Sequence, residues 1–240
     1  MTEQEIQTRY SVHFCELDAQ IVRLEAVLRE HSFLSGKMQH VVVHALVLRL
    51  IELARSCGIL SKTGMAAASA SLNRQCLEIG FKLKAICSGN ATAEDFMTQE
   101  IISRAKSRRW VLQNAAALEA LGPELSKSLA KEADEAVRLE ETKGLKEIKP
   151  YEWAARAEEI EVYLFAYSTL SDFIHCGPAS LGHIFDVKQD GQVFMQTGPS
   201  DYLIEHVIEG ACHCLASSSN AIQAMFAKNA DAQIPPCTAP

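Results

Sequence analysis

Apolar residues recur along this chain at steps of three and four, the spacing that lines up one face of an α-helix. Tyr10, Phe14, Leu17, Ile21, Leu24 and Leu28 follow such steps through residues 3–31. Ser35-Gly36 interrupts them, and a second helix is predicted over 37–57, ending near Gly58. The third, over 63–88, is apolar on two faces. Leu72, Cys76, Ile79, Leu83 and Ile86 define one; Ala67, Ala70, Leu77, Phe81 and Ala85 define the other, richer in small residues. Polar Asn73 and Lys84 separate them on one side, Gln75 and Lys82 on the other. A helix of this kind is sandwiched between neighbours, so it is expected at the centre of the fold. Arg74 and Glu78 fall on its small-residue face, one turn apart, where charged groups are buried only when paired.

Ser88-Gly89-Asn90 ends the central helix, and Thr92 with Asp95 reads as a capping box for a fourth, running to about residue 120. Leu121-Gly122-Pro123 stops it. The charged stretch 123–143 is predicted to be a helix outside the core. From Pro150 the pattern runs without a breaker to Gly177-Pro178. With Ile160 at the front of a helical wheel, Trp153, Tyr163, Leu164, Tyr167, Ser171, Ile174 and His175 lie within about 60° of it. This inward stripe therefore carries two tyrosines, a serine and a histidine, which must find hydrogen-bond partners on another element. After Gly182 the period changes to two. HIFDVKQDGQVFMQTG alternates around Asp190-Gly191, which predicts a small β-hairpin near 183–197. Ser200 or Asp201 is expected to cap a last helix to about 228, and residues 229–240 to form a disordered tail. The fold class is all-α: a bundle of about seven helices in a single domain over 1–228.

At 240 residues and 48% hydrophobic content, the chain can bury a large core. Its most apolar run, residues 40–54, is interrupted by His44, Arg49 and Glu52, so a buried helix is expected rather than a membrane span. The polar N-terminus lacks a secretory pattern, and the expected location is cytoplasmic. A net charge of −7 argues against indiscriminate binding to nucleic acid or anionic membrane. The basic cluster Arg104, Lys106, Arg108 and Arg109 reads as a solvated helix face. None of the eight cysteines forms a C-x2-C pair, and they read as reduced thiols packed as small hydrophobes. No metal site is expected. Cys212-His213-Cys214 point in three directions on a helix, and with His175, Cys176 and His183 they lack the usual ligand spacing. His40 and His44 lack the glutamate of a zincin motif and are expected to be packed and hydrogen-bonded. No glycine-rich nucleotide loop occurs, and no cofactor is expected.

The candidate chemistry reduces to two pairs, Arg74/Glu78 and Ser171/His175. If their faces meet, a guanidinium, a carboxylate, a hydroxyl and an imidazole share one interhelical pocket. His175 is the natural proton carrier near neutral pH. Arg74 can hold a phosphate or carboxylate, Glu78 can orient either cation, and Ser171 is the candidate hydroxyl. Tyr163, Tyr167 and Trp153 are the candidate binding residues. The competing account is a structural polar network in which these groups satisfy one another.

The pattern Arg-x3-Glu on an early helix followed by Trp and Tyr-x3-Tyr-x3-Ser-x3-His on a later one resembles a family of bacterial all-helical proteins catalogued as a domain of unknown function. The matching segments are NRQCLE (73–78), YEWAARAEEIE (151–161) and YLFAYSTLSDFIHCGPASLG (163–182), within a span of roughly 63–185. A looser likeness is to HEPN-type helical ribonucleases and their antiphage or toxin relatives. It implies metal-independent RNA cleavage by Arg and His, although no Arg-x4–6-His signature occurs here. The first reading is a helical binding or regulatory module with a polar pocket of Arg74, Glu78, Tyr167, Ser171 and His175, in stress or phage defence. A HEPN-like ribonuclease and a Ser171 hydrolase are the alternatives, and whether the chain is an enzyme is left open. RNA or a phosphate-bearing ligand is the partner class that such a pocket suits. No membrane partner is expected, and a homodimer is compatible with the pattern.

Overall fold

The computed structural model describes residues 1–143, 147–174, 181, 184–187, 190–195 and 198–231. The fold is all-α with one short hairpin. In chain order the elements are α1 (Glu3–Arg9), α2 (Ser11–Glu30), α3 (Met38–Lys62), α4 (Ala66–Ser88), α5 (Ala93–Leu112), α6 (Ala115–Leu121) and α7 (Pro123–Lys143). They continue as α8 (Pro150–Arg156), α9 (Ile160–Val162), one π-helical turn (Tyr163–Tyr167), α10 (Ser168–Ile174), β1 (Phe185–Val187), β2 (Val193–Met195) and α11 (Ile204–Asp231).

The two-faced helix is the centre. α4 packs against α3, α11, α8 and α10, and residues from both of its apolar faces are buried: Cys76, Leu83 and Ile86 from one, Ala70, Leu77, Phe81 and Ala85 from the other. α2 packs on α3 and α11, contributing Phe14, Leu17, Ile21 and Leu24 to the same core. α11 reaches α4 closely because two glycines leave room. A Cβ on Gly80 would stand 3.4 Å from Cys214 Sγ, and one on Gly210 only 2.6 Å from Asn73 Nδ2. Asn73, expected at a polar boundary, is instead fully buried under α11, and neither side-chain polar atom has a hydrogen-bond partner among the described residues. α7 lies outside this core as the charge pattern predicted, packed on α5 and α6.

Several helices break where the apolar pattern does not. The first expected helix is two, divided at Tyr10; Thr2 and Glu5 form the capping box of α1. Arg9 Nη1 and the Tyr10 hydroxyl both donate to Asp201 Oδ2, at 2.6 and 3.2 Å, which ties this break to the approach of α11. Asp201 is thus a cross-chain acceptor. The Ser200 hydroxyl, for its part, accepts from the Tyr202 N–H. α3 passes through Gly58 and continues to Lys62. Gly58 serves packing, since a Cβ there would lie 2.9 Å from Leu17 Cδ2. Thr92 and Asp95 form their capping box, but α5 stops at Leu112, and Asn114 caps a separate α6 through the Ala117 N–H.

The hairpin forms around Gly191, which takes a left-handed φ of +80°. Its register pairs Phe185 with Met195, Asp186 with Phe194 and Val187 with Val193. α11 extends through Asp231, past the expected end near 228, so residues 229–231 are helical; 232–240 lie outside the described residues. Among the described residues, no helix is long and apolar enough to cross a membrane.

Gly64 turns directly against Pro199, with φ +73°, and a Cβ there would fall 2.5 Å from Pro199 Cβ and 2.7 Å from its Cα. Its carbonyl also accepts from the Ser200 N–H. Gly64→Ala is therefore expected to destabilise the fold by at least about 1 kcal/mol, a fall of roughly 2–4 °C or more in thermal unfolding.

Candidate functional site

The stretch expected as one continuous helix from Pro150 is bent twice, and the bends build the site. α8 ends at Arg156, and Glu158 takes a left-handed φ of +58°, a conformation that costs a residue with a side chain on the order of 1 kcal/mol. The chain re-enters a helix at Ile160 and passes through the π turn, where the Ser168 N–H bonds to the Tyr163 carbonyl. A π turn accommodates one extra residue and rotates the next helical turn about the axis. Leu164, expected in the inward stripe, is 55% exposed, whereas Tyr167 is buried.

Tyr167 joins the two predicted pairs. Its hydroxyl donates to Glu78 Oε1 at 2.5 Å and accepts from Arg74 Nη2. Arg74 Nη2 also lies 3.2 Å from Glu78 Oε1, and Arg74 Nε donates to Ser171 Oγ at 3.1 Å. The guanidinium carbon sits 4.4 Å from the centre of the Tyr167 ring, close enough for cation–π attraction. Tyr163 stacks on Tyr167 at 4.9 Å, and Tyr151 meets Tyr163 edge-on at 5.6 Å. Burial, then the hydrogen bond to Glu78 and the charge of Glu78, push the Tyr167 phenol up from its ordinary pKa, so it acts as a donor. The Ser171 hydroxyl receives Arg74 Nε and gives its own hydrogen to the Tyr167 carbonyl at 3.0 Å.

Four of the seven predicted site residues therefore meet directly: Arg74, Glu78, Tyr167 and Ser171. Tyr163 joins them through its ring. Trp153 stands apart from this cluster because the chain bends between α8 and α9. It is 2% exposed and lines a cleft of about 320 Å³ whose wall also includes Glu78. His175, and with it Cys176 and His183, lies outside the described residues.

A second polar cluster, between α11 and the bend, was not signalled by any motif. Glu159, with its side chain only 11% exposed, takes Lys84 Nζ at 2.7 Å and the Ser217 hydroxyl at 3.2 Å on Oε1, and faces His213 Nε2 at 3.1 Å through Oε2. Burial alone raises its pKa, but the hydrogen bonds from His213 and Lys84, with their charges, outweigh it and pull the carboxyl down to about 2. The residues lie far apart in sequence with no regular spacing, so only the bend at Glu158 brings them together.

His213 is thus engaged by a carboxylate, and its neighbours Cys212 and Cys214 are thiols pushed up by burial, Cys212 to about 12. Cys57 is raised to about 11 and Cys87 to about 12 for the same reason, as suits inert packed thiols. His40 is packed, accepts the Leu34 N–H on Nδ1, and has its pKa lowered first by burial. One group of metal-type ligands does converge among the described residues: His13, Glu205 and Glu209, with ligand atoms within 4.8 Å of one another. Both carboxylates are exposed to water.

Residues 40–193 match the family described as "Family of unknown function (DUF5677)". The chain belongs to DUF5677. That match spans well over half of the chain and contains Arg74, Glu78, Trp153, Tyr163, Tyr167, Ser171 and His175, whereas α1 and α2 precede it and all of α11 lies beyond it. No curated protein and no solved structure matches this DUF5677 member.

Two measurements address these clusters. Tyr167→Phe removes the hydroxyl shared by Arg74 and Glu78 and is expected to cost about 1.5–3 kcal/mol in thermal or denaturant unfolding, the range for hydrogen bonds to charged groups. Glu159 has a folded pKa below its ordinary 4.5, so its stabilisation is fully present above pH 4.5 and is lost as pH falls toward 2. Unfolding followed between pH 5 and pH 2.5 should show wild-type stability falling more steeply than that of Glu159→Gln.

Proposed function

We propose that this chain is a helical binding or regulatory module and that Arg74 reads a phosphate-bearing ligand. The observation that carries this reading is how completely the guanidinium is oriented. Nε is committed to Ser171 and Nη2 to Tyr167 and Glu78, and the guanidinium carbon lies 4.4 Å from the Tyr167 ring centre, while Nη1 bonds to no described residue. An arginine fixed on one edge presents the other with little further loss of side-chain entropy, and its planar donors match phosphate geometry. Two helices far apart in sequence are spent on orienting one cation.

A HEPN-like metal-independent ribonuclease is the second reading. It is favoured by the contact between Arg74 and Ser171, because His175 comes four residues after Ser171 in sequence. In it Arg74 would hold the scissile phosphate, His175 would move protons, and Glu78 and Ser171 would position both. A Ser171 hydrolase fits less well, since that hydroxyl already gives its hydrogen to the Tyr167 carbonyl and receives a guanidinium N–H. A role in stress or phage defence belongs to the first reading and rests on the sequence likenesses, while cytoplasmic residence remains an expectation from the sequence alone.

Calorimetric titration with inorganic phosphate and pyrophosphate at low salt tests the module. Binding by the wild type, weakened at least about tenfold in Arg74→Lys, is the expected result. Equal binding by the two proteins would remove Arg74 from the reading. Incubation with RNA in EDTA separates the alternatives: the module leaves RNA intact, and cleavage abolished by His175→Ala would replace it with the nuclease.

A further inference from the structure

The cleft beside Glu78 gathers groups that the arginine network does not use. Phe81 of α4 and Trp153 of α8, each 2% exposed, and the partly buried Phe96 of α5 line it together with Ile148. Lys82 lines it as well, and its ammonium has no ion-pair partner among the described residues. The other polar groups of the lining are Gln99, which accepts the Ile148 N–H, Ser103, Glu147, which is paired with Lys149, and Glu78. Glu78 Oε1 is occupied by Tyr167 and Arg74, whereas Oε2 receives no hydrogen bond from any described residue. A volume of about 320 Å³ falls at the small end of the range for small-molecule sites.

We infer that this cleft takes a nucleoside phosphate whose base carries an exocyclic amine, with the base against Phe81, Phe96 and Trp153, the amine donating to Glu78, and the phosphate paired with Lys82. The inference goes beyond the Arg74 reading, because it gives the phosphate of this ligand to Lys82 and leaves Arg74 to hold Glu78. Each part of the site asks for one part of that ligand. Aromatic walls take a flat ring with apolar faces. A carboxylate oxygen with no donor among the described residues can take an N–H. An ammonium with no ion-pair partner among the described residues can take an anion. Glu78 and Lys82 are one turn apart on α4, about 6 Å along its axis, and the length of the lysine side chain extends that span toward the far end of a mononucleotide. Arg74 and Tyr167 act here as positioning residues that hold Glu78.

The test is calorimetric titration of the full chain with AMP, IMP and inorganic phosphate. AMP and IMP differ where adenine offers an exocyclic amine and hypoxanthine a carbonyl beside an N1–H, so a carboxylate placed at the exocyclic position meets a donor in one and an acceptor in the other. AMP is expected to bind at least about tenfold tighter than IMP. Lys82→Ala should unfold at the wild-type temperature yet lose about tenfold in AMP affinity. Glu78→Gln should bring AMP and IMP close together, because an amide can both accept and donate. Equal affinities for AMP and IMP in the wild type, or an unchanged AMP affinity in Lys82→Ala, overturns the nucleotide assignment. If inorganic phosphate still binds in an Arg74-dependent way, the module reading survives that result. If neither nucleotide nor phosphate binds, both fall.

Discussion

A helix enclosed on several sides leaves little room for an unpaired charge. α4 is such a helix, packed by α3, α11, α8 and α10, and it carries an arginine and a glutamate on a face turned toward its neighbours. Removing two charged groups from water is expensive, and proximity to each other recovers only part of that cost. The pair is accordingly completed by side chains from the opposing segment. Tyr167 supplies a donor to the carboxylate, an acceptor to the guanidinium and a ring beneath it; Ser171 supplies a second acceptor. The central helix and the Tyr-Ser segment are thus bound by one set of polar contacts as well as by apolar packing.

That arrangement depends on backbone irregularity. A straight helix from Pro150 onward would place Trp153 and Leu164 in the same stripe as the tyrosines. The left-handed turn at Glu158 and the π turn at Tyr163–Tyr167 separate these roles: Trp153 goes to the cleft, Leu164 to the surface, and Tyr167 to the arginine. Backbone strain persists only where surrounding contacts hold it. Glu159, directly after the left-handed residue, is gripped by Lys84, Ser217 and His213 from two different helices, which anchors the bend to α4 and α11. The arginine site and the Glu159 cluster are in this sense two ends of one construction. Glu78 then links the network to an aromatic-walled cleft, so the same carboxylate both completes a structural ion pair and faces a space large enough for a ligand.

Some of this was legible in the sequence by itself. Periodicity determined the all-α class, the two-faced central helix, the peripheral charged helix and the hairpin at Asp190-Gly191, because burial of one face and the conformational demands of a turn act on neighbouring residues. The i, i+4 spacing also determined which polar groups share a face, and so nominated Arg74 with Glu78 and placed Tyr167 and Ser171 on the facing stripe. Only the tertiary structure decided the rest. α1 gives way to α2 at Tyr10, whose hydroxyl bonds to Asp201, and Gly58 lies inside α3, close against Leu17. Asn73 is buried because Gly210 admits its side chain beneath α11. Glu159, Lys84, His213 and Ser217 meet only because the chain turns at Glu158. Local patterns record the face that a residue presents; which distant face lies against it is settled by packing, and packing is a property of the whole chain.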